Sequence, residues 1–312
     1  MYKRQDSTYA LAHAGLADLY DSYRIQTPIG DTLERANYLA LMEQESAKAF
    51  QLNPKLAYVN QVRGYALSRS NQTDDAFRHF INSYEISPNN PEAITGLSNL
   101  YFNMGLHQDA LQFAERATEI DPLHKSGLLM EMYGNFYLGN LDQTIQICQS
   151  ILTIDPNNLS VLHFLFRSQF ILKQTEAALA TWANMEQIDS IFTKKTGQDL
   201  EISLLKQDTT YLNKILDGDN ANLKFITHWF QNEADLAAKE FQLATEDYLT
   251  FANTEDAPSG SIYLDLYHDP MRTKYLETAW FKEALGLEKR KFDFLQKKYP
   301  RAAQILGIPL KN

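Results

Sequence analysis

The side chains able to do chemistry are few in this chain, and their spacing does not suit it. Seven histidines stand at 13, 79, 107, 124, 163, 228 and 268. A hydrolytic zinc site of the H-E-x-x-H kind needs two of them on one helical face, and no such pair occurs. The sequence holds no G-x-x-x-x-G-K-[ST] loop, no G-x-G-x-x-G turn and no G-x-S-x-G elbow, so it lacks these backbone cradles for phosphate and for an exposed serine nucleophile. The one cysteine, Cys148, has no base or positive charge near it in sequence and reads as a buried apolar residue. Asp74 and Asp75 stand together, but they open a helix, where negative charge is favoured by the unpaired N–H groups. His79 and His107 fall near inter-helix turns and read as solvated side chains. The expectation is a non-enzymatic chain with no catalytic residue, no metal and no cofactor.

Bulk properties narrow the partner. The chain has 312 residues, 44% of them hydrophobic, and a formal net charge of -10 from 39 acidic and 29 basic side chains. Binding to nucleic acid or to an anionic membrane needs clustered Lys and Arg, and this balance disfavours both. One cationic cluster exists, Lys289, Arg290, Lys291, Lys297, Lys298 and Arg301, and reads as the solvated face of a terminal helix. No apolar run reaches the roughly 18 residues of a membrane span. A cysteine-poor helical domain is at home in either cytosol or periplasm, so compartment stays open.

The elements that must position any binding residues announce themselves by period. Prolines stand at 54, 88, 122 and 156, each 34 residues after the last, and each closes a similar phrase: QLNP, EISP, EIDP, TIDP. A fixed period of this length signals stacked helix-turn-helix units. Aligned on the prolines, the blocks are 57–90, 91–124, 125–158 and 159–192, the last with Ser190 in place of proline. Small residues recur at block position 20 (Ala76, Ala110, Thr144, Ala178), where two helices must approach closely, and isoleucine recurs at position 30 (Ile86, Ile120, Ile154, Ile188). Gly105 and Gly139 fall at position 15, where a first helix should end with a residue tolerant of left-handed geometry.

This pattern, with Gly64, Phe80, Leu97, Tyr101 and Ala117 at signature places, resembles the tetratricopeptide repeat. The resemblance implies an all-α fold, a right-handed superhelical solenoid of antiparallel helix pairs with a concave groove. It divides the chain into an array over 1–192, with an extended first repeat at 7–56, and a degenerate repeat and helical cap over 193–312. In the last region, 223–245 reads as one more degenerate helix pair, and a cap must cover the otherwise exposed apolar face of the final unit. The first repeat carries 13 extra residues, expected as a surface loop around Pro28 and Gly30. Asp6-Ser7 takes the place of a further rung and MYKRQ looks like the tail of an earlier helix, which points to a fragment of a longer array.

The resemblance also implies where a ligand would lie, along positions 2, 5, 6, 9, 12 and 13 of each first helix. On this sequence those include Tyr58, Gln61, Tyr65 and Arg69; Glu92, Asn99, Phe102 and Asn103; Met130, Tyr133, Phe136 and Tyr137; and His163, Phe164, Arg167 and Phe170. The expected partner is an extended or helical peptide or protein segment held on aromatic platforms with polar clamps. Relatives that bind chaperone tails use a lysine–asparagine clamp for a terminal carboxylate. Here Asn99 fits one clamp position, but Gln61 and Thr95 stand where lysine is needed. A narrower resemblance, carried by YALAHAGLADLY and HDPMRTKYLETAWFKEALGL, is to the repeat domains that follow the output domain of bacterial class III nucleotide cyclases and membrane-anchored winged-helix activators. It implies, as an alternative, a sensing domain for a small molecule or partner, with His268, Asp269 and Pro270 matching the closing element.

Overall fold

The computed structural model describes residues 9–27, 31–195, 199–219, 221–252, 295 and 297–307. Among these, all regular structure is helical. The chain divides into two compact units: residues 1–103, 108–130 and 302–312 form unit 1, and 104–107 with 131–301 form unit 2.

In unit 1, α1 (Ala10–Gln26), α2 (Thr32–Leu52), α3 (Ala57–Arg69), α4 (Thr73–Ile86), α5 (Pro91–Asn103) and α6 (His107–Ile120) run in succession. α1 packs on α2, α3 on α4 and α4 on α5, while α1, α3 and α5 also lie side by side. The four regular blocks share one construction. Each first helix has 13 residues, as in α3, α5, α7 (Lys125–Tyr137) and α9 (Leu159–Ile171). Each second helix has 14, as in α4, α6, α8 (Leu141–Ile154) and α10 (Thr175–Ile188). Turns of a few residues join them, which makes each pair antiparallel.

The local chemistry of both turns is visible. Where a second helix ends, the residue before the proline rung folds its side chain over the turn: Asn53, Asp121 and Asp189 accept from the N–H two residues on, at 3.1, 3.1 and 2.8 Å. Asp189 keeps this bond although Ser190 has replaced the proline. Where a first helix ends, the residue at position 15 is left-handed in every regular block: Asn71 (φ 59°), Gly105 (77°), Gly139 (79°) and Lys173 (56°). In three of the four, the next N–H reaches back to the carbonyl five residues earlier (Gln72 to Leu67, Asn140 to Asn135, Gln174 to Gln169), each at 2.9 Å, the Schellman arrangement that satisfies helix-terminal carbonyls.

That left-handed residue appears once more, 34 positions on, at Gln207 (φ 56°), between α12 (Asp199–Lys206) and α13 (Thr209–Asp217). The turn geometry thus outlasts the sequence signature, which fades after residue 192. The short α11 (Ser190–Lys195) precedes it, and α14 (Ala221–Phe230) with α15 (Ala234–Ala252) form a further packed pair whose turn residue, Asn232, falls out of register.

Close approach explains the small residues. Ala76, Ala110, Thr144 and Ala178 are all fully buried. Phe80, 1% exposed, lies against two glycines on different first helices: a Cβ at Gly64 would come within 2.9 Å of its ring, and one at Gly96 within 2.5 Å. A single ring therefore fills the seam between successive repeats.

The 13 extra residues of the first repeat are mostly helix, not loop. α1 has 17 residues and α2 has 21, four and seven more than α3 and α4. Their pairing is polar as well as apolar: His13 Nδ1 and Glu45 Oε2 meet at 2.6 Å in the interior, and Arg35 Nη1 donates to the carbonyls of Arg24 and Thr27 at 2.8 and 2.9 Å. Asp31 caps α2 by accepting from the Glu34 N–H at 3.1 Å. Asp6-Ser7, Pro28, Gly30, residues 255–260, His268, Asp269, Pro270, Lys289, Arg290 and Lys291 lie outside the described residues.

Candidate functional site

The first-helix face of unit 1 is built by α1, α3 and α5. Position 9 of the first repeat places Asp18 beside Tyr58, whose hydroxyl donates to Asp18 Oδ2 at 3.3 Å. Asp21, one turn on, accepts from Arg24 Nη2 and Nε at 2.8 and 2.9 Å and meets Arg69 Nε at 3.5 Å. Arg69, expected as a peptide clamp, is thus already engaged by a carboxylate of its own chain. On α5, Glu92 faces His124 Nε2 at 3.6 Å, and Asn103 donates to Asn99 Oδ1 at 3.1 Å. Phe102 is half-buried and Asn103 exposed.

Electrostatics follow from this packing. Burial pushes the Asp18 carboxyl up, against the Tyr58 hydrogen bond and with the help of Asp21. Burial likewise raises Glu92, partly offset by His124 and reinforced by Asp18. Tyr58 is pushed up to about 12 by burial first and then by the Asp18 charge and bond. Tyr65 is raised further by burial, with Glu92 next, and packs edge-on against Phe80 at 5.0 Å. The face thus holds two carboxylates, the exposed Asp18 and the half-buried Glu92, that would gain from a nearby positive charge.

The corresponding face of unit 2 is aromatic. Tyr133 packs edge-on to Phe164 at 4.9 Å, and its hydroxyl lies 3.3 Å from Ser160 Oγ. Arg167 sits over the Phe136 ring at 5.0 Å, and His107 stacks on Tyr137 at 5.0 Å. Burial, and then the Arg167 charge, lower His163 to about 4, so its ring is neutral at pH 7. Besides Gln61 and Met130, the expected contact residues Phe136 and Phe170 lie in the core instead. Phe136 is covered by Phe164 and Arg167, and Phe170 stacks on Phe230 of α14 at 5.0 Å with Trp229 beside it. Both stand at block position 12, where neighbouring side chains close over the ring. Tyr133, Tyr137, His163 and Arg167 remain half-exposed.

Two histidine expectations need correction. His107 is 2% exposed rather than solvated, because its ring stacks on Tyr137. His79 is half-buried, packs edge-on to Phe50 at 4.7 Å and meets Asn60 Oδ1 at 3.2 Å, and burial lowers its pKa. Cys148 is buried, with its thiol pushed up to about 12 by burial, far from nucleophilic character. Among the described residues, no group of three His, Cys, Asp or Glu converges to hold a metal. No helix among them is long and apolar enough to cross a membrane. Asp18 and Asp21 were not singled out from sequence. The signal was available, since counting from Ala10 puts them at positions 9 and 12, the same positions used for the later repeats.

Comparison with known proteins finds similar chains. Hsp70-Hsp90 organizing protein 2 of Arabidopsis thaliana is 24% identical over 132 residues, which is 42% of this chain and 23% of that protein. Hsp70-Hsp90 organizing protein 1 of Glycine max is 22% identical over 187 residues, 60% of this chain and 32% of that protein. The chain thus spans about a third or less of the length of these curated relatives. A crystal structure of a tetratricopeptide repeat protein from Parabacteroides merdae superposes with a TM-score of 0.43 at 14% identity, covering 81% of this chain and 84% of that one. The profile of the tetratricopeptide repeat matches residues 67–126, the stretch holding the Asn71 and Gly105 turns. Residues 67–126 thus carry tetratricopeptide repeats, and the helix pairs recur on either side of them and the left-handed turn beyond them.

Proposed function

We propose that the chain is a non-enzymatic interaction module that holds a peptide or protein segment on its first-helix faces. The observation that carries this reading is the recurrence of exposed or half-exposed polar and aromatic side chains at position 9 of successive first helices: Asp18, Tyr65 and Asn99 in unit 1, Tyr133 and Arg167 in unit 2. Aromatic and arginine side chains of this kind dominate binding energetics when a partner covers them. In unit 1 the raised carboxylates of Asp18 and Glu92 favour a segment bearing a lysine or arginine.

The relatives' names speak of Hsp70 and Hsp90, yet a chaperone tail is not the segment proposed. A clamp for its terminal carboxylate needs lysines, and this chain offers Gln61 and Thr95, which are 7% and 2% exposed. Thr95 also spends its hydroxyl on the Pro91 carbonyl at 2.8 Å. The neighbouring charges on this face, Asp18, Asp21 and Glu92, would repel a carboxylate.

Peptides selected from a random display library against the purified chain test the reading. Asn99→Ala and Tyr133→Ala are expected to weaken the selected peptides by at least about tenfold, or ~1.4 kcal/mol, by calorimetry. Leu123→Ser, on an exposed inter-repeat turn, should leave affinity unchanged. Peptides that bind all three variants as tightly as the wild type would place the ligand elsewhere and refute the proposal.

A further inference from the structure

The C-terminal described segment makes a contact that the repeat pattern does not require. The short helix α16 (Ala302–Leu306) belongs to unit 1. The Ala302 N–H donates to Asp109 Oδ1 at 2.8 Å in a buried bond that spans 193 residues of sequence. Asp109 is 1% exposed, and Ala302 and Ala303 are 0% and 3% exposed. Asp109 stands at block position 19, in the first turn of α6. The same position in the other blocks is open: Gln143 and Ala177 are exposed, and Asp75 is half-buried and paired with the exposed Arg78. Position 19 is therefore an outward position that in this one repeat lies under another piece of chain.

Covering a carboxylate strips its hydration, so whatever covers it must return hydrogen-bond donors. The first N–H of α16 is such a donor. The two alanines at the start of the helix, Ala302 and Ala303, are buried together with that bond. We propose that unit 1 contains a docking site centred on Asp109 for a short helical segment. It recognises a backbone N–H at the segment's start together with two small side chains, and the chain's own residues 302–307 fill it in cis. A partner segment with the same features competes for it. This site is separate from the first-helix faces, and the proposal does not depend on them.

Ala302→Pro in the full chain tests it. Proline has no N–H, and its fixed φ suits a first helical position after the non-helical Arg301, so the local backbone is not opposed. Hydrogen exchange should show residues 303–306 opening at least about tenfold faster than in the wild type, the effect of losing a bond to a charged acceptor. A labelled synthetic peptide of residues 297–307 should bind the Ala302→Pro chain at least about tenfold more tightly than the wild type, whose site is filled. The same peptide carrying Ala302→Pro should not bind, a control that leaves the protein untouched. Adding Asp109→Ala to the Ala302→Pro chain should abolish peptide binding. Equal protection of residues 303–306 in both chains overturns the proposal. So does a freed segment with no gain in peptide affinity, or equal binding of the two peptides.

Discussion

Gly96→Ala probes the seam between repeats. The new Cβ would lie 2.5 Å from Cδ1 and Cε1 of Phe80. Carbon atoms rest at about 3.5–4.0 Å, so the ring or α5 must yield by roughly 1 Å. The ring has nowhere to go: a Cβ at Gly64 would already come within 2.9 Å of it, and Tyr65 packs against it edge-on at 5.0 Å. Overpacking costs about 1–3 kcal/mol, and a contact this short belongs at about 2–3; set against a gain of about 1 kcal/mol from replacing glycine inside a helix, a net loss of about 1–2 kcal/mol is expected. Gly15→Ala supplies the opposite case. It sits in α1 with no atom within 4 Å of its Cβ position, and the substitution should stabilise by about 0.5–1 kcal/mol. The assay is urea denaturation followed by circular dichroism, with hydrogen exchange of α3 and α5 amides to localise the change, since a chain of two units need not unfold in one step. Phe80→Leu in the Gly96→Ala background should recover part of the loss, giving a non-additive cycle. A Gly96→Ala chain as stable as wild type, or a strictly additive cycle, would refute the steric reasoning.

Three further outcomes are expected. His163 is held near 4 in the fold against 6.5 unfolded, so its contribution to stability is complete above pH 6.5 and declines as pH falls through 4, by about 3–4 kcal/mol in total; His163→Phe should flatten that slope in pH-dependent unfolding. Asp18 and Glu92 shift the other way, so each weakens the fold as pH rises past the ordinary 3.8 and 4.5; Asp18→Asn with Glu92→Gln should raise thermal stability at pH 7 more than at pH 3.5, and an equal change at both pH values counts against the burial argument. Gln207→Gly should stabilise by about 0.5–1 kcal/mol by relieving a left-handed non-glycine residue, whereas the same substitution at Gln231, with an ordinary backbone angle, should not.

The helix pairs could be read from sequence because the proline period and the small residues at position 20 report two physical demands, chain reversal and close approach, that few side chains meet. The turn at position 15 was legible only where glycine filled it. Asn71, Lys173 and Gln207 adopt the same angle at some cost in strain and so carry no compositional mark. In the extended first repeat Pro28 and Gly30 mark the connection, so the extra length reads as loop, while the residues on either side are good helix formers and lengthen α1 and α2 instead. At the candidate site, helical position gave the right face but not the depth. Phe102, Phe136 and Phe170 share one block position, yet the latter two are roofed by Arg167 and by the α14 aromatics, partners that no single-block pattern contains. The bond between Asp109 and Ala302 was invisible for the same reason, being set by chain separated by 193 residues.

The recurring left-handed residue has an evolutionary consequence. Because the first helices of the regular blocks end in the same backbone state, the chain can be cut at any two of these residues and rejoined with the outgoing strand aimed as before. A deletion or duplication running from Asn71 to Gly105, or from Gly139 to Lys173, changes the copy number by one and leaves no mismatched join. Recombination within such a gene would be tolerated at these points and punished elsewhere. The step from Gln207 to Asn232 is only 25 residues, so the exchange rule stops there.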